Sequence, residues 1–159
     1  MKHKHGFTLM EIMTVVIIIS VLTAVVLPQY RRAVQKAQAS EAIAMLRVIN
    51  DSAERLAAEF GYRTFQAFST AEATKAVFQR LDMFDNSTIK CSFTAVTMTC
   101  EHFTYYLNQG GDYVYARKNG EPFAGTEFRL YREDIPRLEC ANNAAACELY
   151  NLPVAEEAS

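Results

Sequence analysis

Gly6-Phe7-Thr8-Leu9-Met10-Glu11 opens the stretch that decides the fold, a run that stays apolar as far as Leu27. The 21 residues from Phe7 to Leu27 hold one charge, that of Glu11. As a helix this run is roughly 31 Å long, enough to cross the hydrocarbon core of a bilayer. Met1 to Gly6 stand ahead of it with Lys2, His3, Lys4 and His5, and a cationic start sets that end on the cytoplasmic side. A basic start before an apolar run also describes a secretory signal peptide. Here the run exceeds the roughly 7–15 residues of such a segment, and no small-x-small cleavage site stands cleanly behind it. It flows instead through Pro28 into polar helical sequence.

Glu11 is the odd residue, one turn into an apolar span. An intramembrane carboxylate costs about 2.5–3.5 kcal/mol on insertion scales and so asks for a cationic partner. The plainer alternative is a carboxylate that snorkels at the interface of an ordinary anchor.

The hexapeptide Gly6 to Glu11, the apolar run, Leu27-Pro28-Gln29-Tyr30 and Ala37-Gln38-Ala39-Ser40-Glu41-Ala42 together resemble the N-terminal signature of type IV pilins and pseudopilins. The resemblance covers about residues 6–45 and is absent from the sequence beyond. It implies removal of a leader, residues 1–6, by a prepilin peptidase that cuts between Gly6 and Phe7. It further implies N-methylation of Phe7, a kink at Pro28, and docking of Glu11 against the Phe7 amine of a neighbouring subunit. That amine is the cation the physics of Glu11 asks for. The family often has Gly where Ser20 stands and a branched aliphatic where Met10 stands. Ser breaks a helix less readily than Gly, so local unwinding from Ser20 to Pro28 is less favoured here.

The chain has 159 residues, half of them hydrophobic. Beyond the apolar run, about 130 residues remain, enough for one domain with its own core. The net charge is −2, and loss of Lys2 and Lys4 with the leader leaves 14 basic against 18 acidic residues, or −4. No basic surface for nucleic acid is visible in this balance. Cys91, Cys100, Cys140 and Cys147 all follow the anchor, in what the orientation makes an oxidising compartment, so an even count reads as two disulfides. The rival is a zinc site, but the spacings fit no familiar zinc knuckle.

After Pro28 the helix is expected to continue, because a proline within an apolar membrane helix is tolerated. Ala42, Met45 or Leu46, Ile49, Ala53, Leu56 and Phe60 recur at steps of three and four, while Arg47, Asp51, Arg55 and Glu59 alternate in sign on the other side. Gly61 offers a left-handed cap. Phe7 to Phe60 is 54 residues, which makes a helix of roughly 80 Å. Ser69-Thr70-Ala71-Glu72 is a capping box for a short second helix ending near Leu81 to Phe84. Asp82 to Ser87 holds two aspartates without a calcium-ligand spacing, and reads as a solvated turn.

From Ile89 the apolar period becomes two. A tight hairpin about Ala95-Val96 pairs Phe93 with Met98 and Cys91 with Cys100 on one face, so apolar alternation and the first disulfide demand the same register. Ala-Val is poor turn chemistry, which leaves room for a wider loop. Phe103 to Leu107, Tyr113 to Arg117 and Phe128 to Tyr131 are further strands. They are separated by Asn108-Gln109-Gly110-Gly111 and by Lys118-Asn119-Gly120. The segment after Ile135-Pro136 reads as irregular. Cys140 and Cys147 enclose a short loop of bland content, which resembles the disulfide-bounded region that many pilins display, and Asn151 to Ser159 reads as a flexible tail.

These readings give an α+β fold, a long N-terminal helix packed on a small antiparallel head. Its parts are a leader over 1–6, an apolar half-helix over 7–28, an amphipathic half over 29–61, a head over 62–150 and a tail over 151–159. No catalytic constellation, metal site or cofactor motif is found, since His102 stands alone beside Glu101 and Gly110-Gly111 sits in hairpin context. The resemblance implies a structural subunit that polymerises into a surface filament, anchored in the inner membrane with its head in the periplasm before assembly. Its partners are then further copies, minor pilins, the peptidase and methyltransferase, the assembly platform and membrane lipid, with no nucleic acid evident. The alternatives are a pseudopilin of a type II secretion system and a monomeric anchored periplasmic binding domain.

Overall fold

A computed structural model describes residues 7–61, 91–94, 97–107, 113–132 and 136–155. The chain divides into two compact units, Met1–Ala37 and Gln38–Ser159. The fold is α+β. Helix α1 runs over Leu9–Glu59 and includes Pro28. Its start is set by Thr8, whose Oγ1 accepts from the Glu11 amide at 3.3 Å, and Gly61 stands beyond its end at φ 76°.

In the first unit every side chain from Phe7 to Arg32 is exposed. This stretch holds an 18-residue window of mean hydropathy 2.6, long and apolar enough to cross a membrane. The hydroxyls of Thr14, Ser20 and Thr23 donate to the carbonyls of Met10, Val16 and Ile19 at 2.9, 2.7 and 2.7 Å. Such back-bonding satisfies each hydroxyl locally, so that none needs water in an apolar surrounding. Ser20 and Pro28 both lie within continuous helix.

In the second unit the helix becomes one-sided. Ala39, Ala42, Leu46, Ile49, Ala53, Leu56 and Ala57 are buried, while Arg47, Asp51, Arg55 and Glu59 are exposed. Phe60, at the end of the expected stripe, is on the exposed side of it. The buried stripe shares one core with a six-stranded antiparallel meander. Its strands are β1 (Ser92–Phe93), β2 (Thr97–Thr99), β3 (Phe103–Leu107), β4 (Tyr113–Lys118), β5 (Glu127–Tyr131) and β6 (Arg137–Ala141), each paired with the next. Phe103, Tyr105, Leu107, Val114, Ala116, Phe128, Leu130 and Cys140 point to the core.

The β1–β2 register pairs Phe93 with Met98, as alternation requires, and Cys91 is bonded to Cys100. Thr94 and Thr97 close this hairpin: the Thr94 amide donates to the Thr97 carbonyl at 2.9 Å, and their hydroxyls meet at 2.6 Å. Side-chain hydrogen bonds thus do what the poor turn sequence does not. Ala95-Val96, the Ser69–Phe84 helix, the Asp82–Ser87 turn and Gly110-Gly111 lie outside the described residues.

Two readings of the C-terminal region are corrected. The segment after Pro136 is strand β6 followed by helix α2 (Ala144–Tyr150), where irregular chain was expected. Arg137 to Ala141 has only Leu138 and Cys140 as apolar core-facing residues, too short an alternation to stand out. Pairing with β5 over five residues makes it a strand. Helix α2 starts at Asn143, whose side chain accepts from the Ala146 amide at 3.0 Å, and ends at left-handed Asn151. Nor is the chain free from Asn151 onward. The Cys140 amide donates to the Pro153 carbonyl and the Ala155 amide to the Cys140 carbonyl, both at 2.8 Å, and Ala155 is buried. Those bonds bind 152–155 to the sheet edge, a long-range pairing that local composition does not reveal; 156–159 lie outside the described residues.

Candidate functional site

The N-terminal motif is set out by the first turn of α1. Leu9, Met10 and Glu11 are the first three helical residues, so Thr8 and Glu11 stand as cap and third position. Besides the hydroxyl contact, the Thr8 carbonyl accepts from the amides of Glu11 and Ile12 at 3.1 and 3.3 Å. A carboxylate in the first turn is favoured by the unpaired amides there, which supply a partial positive charge. Phe7 precedes the helix, 78% exposed. Phe7 and Glu11 thus flank a capped helix start at the end of an uncovered apolar rod. Gly6 lies outside the described residues. Thr8 was not singled out from the sequence, although Thr8-x-x-Glu11 has capping-box spacing and could have marked it.

Pro28 sits far along the same helix. The cysteines occupy the head: Cys91–Cys100 ties the β1–β2 hairpin, and Cys140–Cys147 ties the end of β6 to the middle of α2. Neither disulfide belongs to the N-terminal motif. Beside the first disulfide a cleft of about 330 Å³ is lined by Gln38, Glu41, Met45, His102 and Tyr105 among others. Burial, with the Glu41 charge adding to it, pushes the Tyr105 hydroxyl well above the usual tyrosine range. Among the described residues no three His, Cys, Asp or Glu side chains are grouped to hold a metal.

The outer face of the sheet carries a side-chain system that no linear motif announces. Glu127 is the centre of it. Its Oε1 accepts from Arg117 Nη2 at 2.6 Å and Nε at 3.0 Å, and its Oε2 from Arg129 Nη2 at 2.9 Å and Nε at 3.2 Å. This forked pairing raises the Arg117 pKa, chiefly through the bond to Glu127. Tyr106 and Tyr115 stack with centroids 4.6 Å apart and planes 4° from parallel, and Tyr113 leans on Tyr115 and Tyr131. Burial pushes the Tyr115 hydroxyl up.

Comparison with known proteins bears on the N-terminal part. Residues 1–27 match the family model described as the prokaryotic N-terminal methylation motif. Two fimbrial proteins of Pseudomonas aeruginosa are each 39% identical to the chain over 54 residues, 34% of this chain and 35% of theirs. The chain thus matches about a third of the length of these relatives. No solved structure matches it.

Proposed function

We propose, from the match of residues 1–27 to the prokaryotic N-terminal methylation motif, that the protein is a type IV pilin, a structural subunit polymerising through α1 into a surface filament. The observation that carries this reading is Glu11, in the Thr8-capped first turn of a helix whose stretch from Phe7 to Leu27 is exposed and otherwise uncharged. Cleavage after Gly6 frees the amine of Phe7, which is then methylated. Before assembly the apolar half of α1 lies in the inner membrane with the head in the periplasm.

In the filament the helices bundle with little water between them. A lone ammonium there is untenable, and so is a lone carboxylate. Pairing Glu11 of one subunit with the Phe7 amine of its neighbour resolves both at a single axial stagger. Glu11 sets that stagger, while dispersion and lipid exclusion supply most of the attraction between apolar helices. On this reading the chain is a substrate of processing enzymes.

The test is filament yield normalised to processed, membrane-held subunit. Glu11→Gln is expected to leave insertion and cleavage intact while yield collapses, and Glu11→Asp, one methylene short, to fall between. Wild-type yield from Glu11→Gln would return Glu11 to the role of an interfacial residue. N-terminal sequencing is expected to find methylated Phe7, and a mature start beyond Leu22 overturns the reading. A pseudopilin of a type II secretion system shares every feature of α1. Electron microscopy of sheared surface material, with mass spectrometry of its subunits, separates the two.

A further inference from the structure

The two disulfides differ in what can reach them. Cys140 and Cys147 are both 0% exposed and belong to the core. Cys91 and Cys100 are half-buried, and both line the cleft of about 330 Å³ between α1 and the start of β3. A nucleophile entering that cleft meets sulfur, whereas the second bond is reached only by opening the core.

Cys91–Cys100 also stands where the hairpin has no backbone tie. The Thr94 amide donates to the Thr97 carbonyl, and the register then pairs Phe93 with Met98 and Ser92 with Thr99. Backbone-bonded and unbonded pairs alternate along an antiparallel ladder. Counted from Thr94–Thr97, Cys91 and Cys100 fall at an unbonded pair, and their Cα atoms are 4.3 Å apart. The disulfide itself is the link at that position. Strand β1 is two residues long and stands at the sheet edge, so it keeps little else once the bond is cut.

The surroundings of this bond carry a sign. Glu41 from α1 and Glu101 from the β2–β3 turn line the same cleft, and both are exposed. Neither has an ion-pair partner among the described residues. Lys118 reaches the lining residue Gln38 but is 5% exposed, so the charges presented to solvent at the mouth are the two carboxylates. Their field repels an anionic reagent and draws in a cationic one.

We propose that Cys91–Cys100 is a thiol–disulfide exchange site, selective for a thiol carried beside a positive charge. A thiolate attacks the Sγ of one cysteine, the S–S bond breaks, and the other cysteine leaves as a thiolate that takes a proton from water. A second thiolate attacks the outer sulfur of the mixed disulfide and releases the remaining cysteine. Two thiols are thereby oxidised to one disulfide, and one disulfide is reduced to two cysteines. Strand β1 then rests on the Ser92–Thr99 and Thr94–Thr97 pairs, and the hairpin loosens. The site belongs to the head, so it does not depend on the assembly proposed for α1.

The experiment exposes the oxidised full-length chain, in detergent micelles at about pH 8 where histidine is neutral, to cysteamine or to 2-mercaptoethanesulfonate at matched thiolate concentration. Timed samples are alkylated and peptide-mapped. Cys91 and Cys100 are expected to be labelled at least about tenfold faster than Cys140 and Cys147. Cysteamine is expected to react about tenfold faster than the sulfonate, each rate being divided by that of the same reagent on hydroxyethyl disulfide. That preference is expected to fall to about twofold or less in the Glu41→Gln, Glu101→Gln double variant, and equally in wild type at about 1 M salt. The salt arm needs no variant, so the test stands even where the double variant folds poorly. Labelling of both cysteine pairs at one rate overturns the exchange site. Absence of a preference for cysteamine, or a preference that survives both salt and the double variant, overturns the selectivity.

Discussion

Lys118 Nζ donates to Gln38 Oε1 at 3.2 Å, joining the last residue of β4 to a helix position 80 residues earlier in the chain. The ammonium also lies 5.3 Å from the centre of the Phe103 ring, and the residue is 5% exposed. Burial holds its pKa below the ordinary lysine value. The unfolded chain keeps this proton to higher pH than the folded one does. Between the lowered pKa and the unfolded value, stability therefore rises with pH. Lys118→Met is expected to match or exceed wild-type stability at neutral pH, by up to about 1 kcal/mol, and to abolish that rise. Thermal melting of the full chain in micelles across the alkaline range measures both effects.

Glu127 serves two arginines with one carboxylate, and Gln at this position keeps only one acceptor oxygen and no charge. Glu127→Gln is expected to destabilise the head by about 1–2 kcal/mol, between the values for an exposed and a fully buried pair because Arg117 is half in water. Denaturant midpoints at low and high salt provide the check, and most of the loss is expected to persist in high salt, since the carboxylate is buried.

Tyr105, Tyr115 and Tyr150 are all pushed upward by burial. Their protonated forms are favoured in the folded state, so the stability they contribute is fully present below about pH 10 and is lost as pH rises past it. Tyr105→Phe is expected to delay that loss. Melting temperature against pH, compared with Lys118→Met, separates the two trends because they have opposite sign.

Asn143 caps α2 through a single side-chain contact. Asn143→Ala is expected to cost about 1 kcal/mol and to raise amide exchange within Ala144–Tyr150. The Cys140–Cys147 bond holds the helix near β6 in either case, so exchange at the Cys100 amide, across the sheet, is expected to stay unchanged.

Cys140→Ser with Cys147→Ser removes a short cross-link, for which chain-entropy estimates give roughly 2–3 kcal/mol. Because the backbone of Cys140 also bonds Pro153 and Ala155, exposure of 152–155 to proteolysis is expected to accompany the loss.

The sequence by itself determined what repeats over many residues or depends on neighbours. The length and apolarity of the α1 start, the buried stripe from Ala42 to Leu56, the β1–β2 register and the meander from Phe103 to Tyr131 all follow from periodicity. The Gly6–Glu11 motif was legible because its residues are adjacent in the chain.

Tertiary structure alone decided what joins distant positions. Arg137 to Ala141 alternates too briefly to declare itself, and becomes a strand because β5 offers it an edge. Leu152 to Ala155 is held by the backbone of Cys140, a bond that composition cannot announce. Arg117, Arg129 and Arg137 are scattered at intervals of 12 and 8 residues, with no period in common. They align because antiparallel pairing converts strand register into a diagonal, and that register was set by the core face beneath them.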